Sequence, residues 1–327
     1  MRKLSYVCVV VVILISLVIH KGWAQQYDLG IELGISGFYG DLGGANYIGR
    51  PLFFDLEKTL MKPAAGLHFR YYFNRRISAR TTFSYTEVAG DDKLIQPRQE
   101  FSPEWFRWYR NLNFQSHIIE GTFILEANLI FFEPGSKRYR FAPYVLGGLG
   151  LFHFNPQAFY WGDLIDLKPL RTEGQGFLGT GVQEYSLLQP VIPLGIGLRY
   201  NISGSIIFGL EYRTNFTFTD YVDDVSGHYV AQEDFNKFFT DPSTAALAYD
   251  LSVQSEGMDP DGTLAYITGP NQQRGDAKDK DHYFLMQVSF SYLLFNDNAA
   301  ASGFNKRRMI YPRKVWRTDQ MFKNKKF

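Results

Sequence analysis

Residues 27–36 alternate without a miss: Tyr27, Leu29, Ile31, Leu33 and Ile35 are apolar, with Asp28, Gly30, Glu32, Gly34 and Ser36 between them. A period of two predicts a strand with one greasy face and one polar face. Ala65, Leu67, Phe69, Tyr71 and Phe73 repeat the pattern against Gly66, His68, Arg70, Tyr72 and Asn74. Beyond a tight turn at Asn74-Arg75, Ile77, Ala79, Thr81, Phe83 and Tyr85 alternate with Ser78, Arg80, Thr82, Ser84 and Thr86. Five more strands follow. Residues 114–130 carry Glu120, Thr122, Glu126 and Asn128 on the polar side, and glycines blur the phase in 139–154. Then come 191–201, 206–219 with Gly209, Glu211, Arg213 and Asn215 on one face, and 282–295 with Phe284, Met286, Val288, Phe290, Tyr292 and Leu294 on one face.

The eight strands make an even number, and the links between them alternate in length. Turns near residues 74, 134 and 203 are short, whereas the links 40–63, 88–113, 154–190 and 220–281 are long. Short turns on one side and long loops on the other are the asymmetry of a bacterial membrane barrel, whose greasy face meets lipid. A soluble sandwich has no reason to sort its links this way. The pattern therefore predicts an all-β fold, an eight-stranded antiparallel transmembrane β-barrel of the outer membrane. Aromatics near strand ends, such as Tyr39, Tyr85, Tyr200 and Tyr221, fit interfacial girdles, although Tyr and Phe favour strands in any case.

The amino terminus agrees with export. Arg2 and Lys3 precede an apolar run over residues 4–19, and Gly22-Trp23-Ala24 offers small residues before a cut after Ala24. Residues 1–24 read as a secretory signal peptide. The rival is a retained anchor, but its 16-residue run is shorter than the roughly 20 a spanning helix needs. The only cysteine, Cys8, lies in this segment, so the expected mature chain holds its fold without disulfides. It would carry 31 basic against 33 acidic residues, a balance that argues against nucleic acid as a partner.

Taking the polar face as the interior brings Asp28, Glu32, Glu120, Glu126 and Glu211 together with Arg70, Arg80, Arg199 and Arg213, and His68 nearby. Eight strands enclose a space that side chains fill. Opposite charges in it are expected to pair, giving a plugged interior; a proton or small-solute path is the functional rival.

Chemistry at the outer rim centres on Asp220-Tyr221-Val222-Asp223-Asp224-Val225-Ser226-Gly227-His228. Asp and Ser here can fix the root of the longest loop. Asp220, Asp223 and Asp224 could instead hold calcium through oxygen ligands, and the acids with His228 could activate water in a loop-borne hydrolase. Gly40-Asp41-Leu42-Gly43-Gly44 reads as turn chemistry. Gly147-Gly148-Leu149-Gly150 precedes no helical pattern, so it is not a phosphate loop. No His or Cys cluster has metal-ligand spacing. A non-enzymatic chain without a cofactor is the expectation.

Several stretches carry a further likeness. They are Tyr39-Gly40-Asp41-Leu42-Gly43-Gly44, Phe69-Arg70-Tyr71-Tyr72-Phe73-Asn74, Ile77-Ser78-Ala79-Arg80, and Arg110-Asn111-Leu112-Asn113-Phe114 through Glu120. The others are Pro143-Tyr144-Val145 leading to Phe152-His153-Phe154-Asn155-Pro156, Ile192-Pro193-Leu194-Gly195-Ile196-Gly197, and Thr219-Asp220-Tyr221-Val222-Asp223-Asp224-Val225-Ser226. In this order, over about residues 27–295, they resemble a Bacteroidetes family of outer-membrane barrels that includes the type IX secretion component PorG. The resemblance implies an assembly or anchoring barrel that contacts periplasmic ring proteins or lipoproteins of the secretion and gliding machinery. It supplies no catalytic residues. A surface-binding barrel, whose outer loops take a ligand or an envelope component, is the alternative.

The barrel is expected over residues 25–295. Residues 296–327, with nine basic residues against Asp297 and Asp319, depart from the family pattern and are expected in the periplasm. They read either as a solvated tail drawn to anionic surfaces or as a docking segment. In the second case Lys306, Arg307, Arg308, Tyr311, Arg313, Trp316 and Arg317 would meet a partner.

Overall fold

The computed structural model describes residues 26–42, 60–259 and 261–294. The expected signal segment and the basic tail, with its docking residues Lys306 to Arg317, lie outside the described residues.

Eight long strands follow the alternation: β1 (Gln26–Tyr39), β2 (Lys62–Tyr72), β3 (Ile77–Asp91), β4 (Asn113–Asn128), β5 (Phe141–Tyr160), β7 (Leu188–Asn201), β8 (Ile206–Thr217) and β9 (His282–Leu294). A short β6 (Asp163–Asp166) pairs only with the end of β5. Each long strand runs antiparallel to its neighbours, β1 pairs with β9, and β4 pairs with β5 to close the ring. Closure leaves no open sheet edge, the one way a sheet can sit in hydrocarbon with its backbone groups satisfied. The short turns are closed by side-chain oxygens. Asn74 Oδ1 accepts from the amides of Arg76 and Ile77, and Ser203 Oγ from those of Ser205 and Ile206. Ser136 Oγ does the same for Arg138 and Tyr139.

Two strands outrun their alternation. β3 was expected to end at residue 86 but continues to Asp91 against Asn113–His117, and β5 reaches Tyr160 rather than 154. Beyond the hydrocarbon neither face has to be greasy, so the period-two signal stops while the backbone pairing continues.

The outward face is apolar through the middle of every long strand. Leu67 is 57% exposed, Phe83 60%, Leu149 68% and Ile196 59%. A soluble protein would not leave a continuous belt of such residues open; in a bilayer they meet lipid. Phe284 is the exception on this face. It is buried beneath Tyr39 and Tyr212, whose rings lie 5.5 and 5.7 Å away, because Gly37 opposite it leaves room for the ring.

The long links pack into a cap with its own core. It contains α1 (Pro103–Arg110), α2 (Gln232–Phe238) and α3 (Pro242–Ser252). Ser102 caps α1 by accepting from the Trp105 amide, and Asp241 caps α3. Leu170 and Phe177 bury against Phe235, Ala245, Ala248 and Leu251. A second apolar cluster, including Val222, Val225, Phe114, Phe152, Phe154 and Leu285, fills the barrel mouth below. At the opposite mouth Phe132 folds in against Tyr72, Ala142, Ile207 and Leu293.

A charge placed on the outer belt separates membrane from water as the barrel's solvent. Leu67→Arg is expected to lower folded stability in lipid vesicles by about 2–4 kcal/mol. At an exposed site of a water-soluble protein the same change stays within about 0.5 kcal/mol. Urea titration of the refolded barrel reads the difference.

Candidate functional site

The inward face places all nine expected lumen residues in one buried network between the two apolar mouths. Glu126 is its hub. It accepts from Arg70 at 2.9 Å, from Arg199 at 2.6 Å and from the Ser78 hydroxyl at 2.7 Å, with Arg80 at 3.3 Å. Arg70 also reaches Asp28 at 3.0 Å, and Arg80 spans Glu32 at 2.9 Å and Glu211 at 2.7 Å. Arg213 pairs with Glu120, whose other oxygen accepts from Asn215 and Tyr283. His68 sits between Asp28 and Glu32, at 3.3 and 2.9 Å.

Two glycines make the space. A Cβ on Gly30 would fall 2.6 Å from the His68 ring, and one on Gly197 would fall 2.3 Å from the Tyr144 ring. Tyr144 uses that room to donate to Glu211 at 2.7 Å, with the Arg199 guanidinium 4.0 Å from its ring centroid. Charges this deep are tolerable only when paired and hydrogen-bonded. The interior can hold the wall together.

At the rim, the segment from Asp220 to His228 is a lock. Asp223 accepts from the amides of Leu42 and Val225, and Asp224 from the hydroxyls of Thr172 and Tyr185. Asp224 holds a left-handed φ of 61°, which Asp tolerates better than most residues. Glu173 accepts from the amides of Ser226 and Gly227 and pairs with Arg274 at 3.0 Å. Arg274 in turn donates to the Asp224 carbonyl. Arg110 joins Asp92 at 2.8 Å to the carbonyls of Asp41 and Arg274. Four links of the cap are tied here.

This geometry favours the loop-root reading over the two alternatives. The carboxylates of Asp220, Asp223 and Asp224 do not converge on a calcium position, because Asp223 and Asp224 spend their oxygens on partners in the lock. Among the described residues no three His, Cys, Asp or Glu side chains are grouped to hold a metal. Burial raises all three carboxyls, Asp220 to about 7 and Asp224 to about 6, with Asp223 raised as well. His228 is exposed and bridges Gln273, so it does not pair with the acids for water activation. Asp41, expected as turn chemistry, instead accepts from the Asp276 amide across 235 residues. Arg110, Glu173 and Arg274 gave no local signal, since their partners are remote in sequence.

A groove of about 530 Å³ opens beside the lock, between α1 and residues 266–276. Its floor holds Tyr229 and Arg274, and its walls include Phe106, Arg107, Tyr266 and Gln272. Tyr229 is 3% exposed, and its hydroxyl makes no hydrogen bond among the described residues. Burial pushes that hydroxyl up to about 12, against the pull of Arg110 and Arg274.

A family model described as domain of unknown function DUF6089 matches residues 5–240, and the chain belongs to that family. No curated protein matches it. Among solved structures it is similar to Ail, the attachment invasion locus protein of Yersinia pestis, at 10% identity and a TM-score of 0.35, over 83% of this chain and 99% of Ail. It is also similar to Neisserial surface protein A, at 10% identity and 0.34, over 82% of this chain and 96% of that one. For OprG of Pseudomonas aeruginosa the values are 13% and 0.32, over 84% and 99%. Likeness this distant carries no argument about what the chain does.

Two outcomes follow from the network and the lock. Glu126→Gln leaves three guanidiniums short of their shared carboxylate and is expected to cost about 3–5 kcal/mol, read by urea unfolding in detergent. For Asp220 and Asp224 the folded values stand above the ordinary 3.8, so the closed cap binds protons more tightly than the opened one. The stabilisation from their neutral forms is complete below about pH 4 and is lost as pH rises through 6 to 7. Hydrogen exchange at residues 220–228, corrected for intrinsic rate, should therefore speed up between about pH 5 and pH 7.5. Asp220→Asn should flatten that rise.

Proposed function

We propose that this member of the DUF6089 family is an outer-membrane barrel that works without catalysis, as an assembly or anchoring component like the type IX secretion barrels its sequence resembles. The filled interior carries the proposal. The lumen occupied by Glu126 and its arginines, and the apolar clusters at both mouths, support a reading in which the working surfaces are the two ends. The short-turn end and residues 296–327 would then meet periplasmic ring proteins or lipoproteins, while the bilayer holds the barrel in place.

One observation favours a second reading, a surface-binding barrel. The groove beside the lock is walled by Phe106 and Tyr266, 42% and 66% exposed, above the unbonded Tyr229 hydroxyl. Aromatic walls over a polar floor suit a ligand with both apolar and oxygen-rich parts.

Affinity purification from detergent-solubilised outer membranes, comparing the full chain with a version ending at Asn296, tests the first reading. Periplasmic lipoproteins or ring proteins should come down with the full chain and be lost from the shorter one. If neither version brings a periplasmic partner, the anchoring role fails and the groove becomes the working site. Planar-bilayer recording should show no steady conductance from the wild-type protein; an open channel would overturn the filled-lumen basis of both readings.

A further inference from the structure

The two ends of the barrel differ sharply in charge. The longest link, residues 218–281, carries thirteen acidic residues against four basic ones. The three short turns, residues 73–76, 129–140 and 202–205, carry Arg75, Arg76, Lys137, Arg138 and Arg140 against Glu133 alone. Glu133 is already taken by Arg75 at 2.7 Å. Arg76, Lys137, Arg138 and Arg140 form no ion pair with a carboxylate among the described residues.

These cations are held where lipid-facing side chains give way to turns. The Arg76 guanidinium lies 4.4 Å from the Phe131 ring centroid and donates to the Leu129 carbonyl at 3.2 Å. Arg140 lies 5.0 Å from the Tyr200 ring and donates to the Asn201 carbonyl. Arg138 lies 5.3 Å from the Tyr139 ring. Ile130, Phe131 and Phe141 are each nearly half exposed, and with Lys137, Arg138, Tyr139 and Arg140 they line a hollow of about 420 Å³. One side of the hollow is greasy and the other cationic.

We propose that this hollow seats a membrane phospholipid with an acidic headgroup, its phosphate against Arg138, Arg140 and Lys137 and its glycerol and upper acyl carbons against Ile130, Phe131 and Phe141. The occupant follows from position. A surface at the end of a lipid-facing belt meets headgroups, and clustered cations there draw anionic lipid. Stacking on aromatic faces holds guanidiniums at the interface while their stems stay on apolar surface. A zwitterionic headgroup would bring its own cation against Lys137, Arg138 and Arg140, while Glu133, the one carboxylate of the three turns, is paired to Arg75. The seat would fix the barrel's depth and rotation in the leaflet that faces the periplasm. The proposal rests on the membrane-spanning reading but not on any protein partner.

Native mass spectrometry of the full chain in detergent, given equal amounts of phosphatidylglycerol and phosphatidylcholine with matched acyl chains, tests it. The wild-type protein should retain phosphatidylglycerol preferentially. R138Q/R140Q should cut that preference by about fivefold or more, whereas R138K/R140K should keep most of it. Residues 296–327 are present in every variant, so their own charge does not account for a difference. Heat-modifiable mobility on gels reports separately whether each variant is a folded barrel. A wild-type protein that binds both lipids equally overturns the proposal, as does a preference that R138Q/R140Q leaves unchanged. A chain that folds in no detergent or bilayer would instead remove the membrane reading beneath it.

Discussion

In hydrocarbon no water is present to satisfy a backbone amide or carbonyl, so a sheet survives there only if its last strand pairs with its first. Here β1 pairs with β9, the first and last strands of the barrel, and β4 with β5, and the remaining architecture follows from that closed ring. A closed ring with lipid outside turns its greasy side chains outward. The polar ones are forced into a lumen too narrow for bulk water. Asp28, Glu32, Arg70, Arg80 and Glu126 are charged residues confined by topology, and the ionic network is what makes that confinement tolerable.

The network in turn dictates small features that have no function of their own. Gly30 and Gly197 are places where a side chain would collide with His68 or Tyr144. Tyr72, Tyr144 and Tyr283 point inward because each hydroxyl finishes a carboxylate's bonding: Asp28, Glu211 and Glu120 respectively. A lumen filled this way ties the strands to one another across the ring, and the two ends of the barrel are its remaining surfaces in water.

Those ends are built on different physics. The cap is held by buried acids, Asp220, Asp223 and Asp224, whose carboxyls burial drives toward neutrality, and by the Glu173–Arg274 and Asp92–Arg110 pairs that join separate links. It has its own apolar core and presents an aromatic groove. The short-turn end is held by the Phe132 cluster and by the Arg75–Glu133 pair between two turns. Arg76 and Arg140 are organised by aromatic rings and backbone carbonyls, which leaves their charge available to the surface of the bilayer.

Period-two alternation, clearest in residues 27–36, 65–74 and 77–86 and carried on through the later segments, was enough to determine the number of long strands, the long-and-short order of links and the inward set from Asp28 to Arg213, but not where β3 and β5 end. Each of these is a local property, because a strand's two faces are written in successive residues. Tertiary structure alone decided who pairs with whom. Glu126 as a hub for three arginines, Asp41 bonding to Asp276, and Asp223 bonding to Leu42 all join residues far apart in the chain. The acids at 220–224 show the limit most clearly. Their spacing allowed an ion site, a water-activating site or a loop root, and the choice was made by Thr172, Tyr185 and the Leu42 amide arriving from two other links to occupy their oxygens. Sequence periodicity carries the direction in which a side chain points, but what it meets there depends on the closed ring.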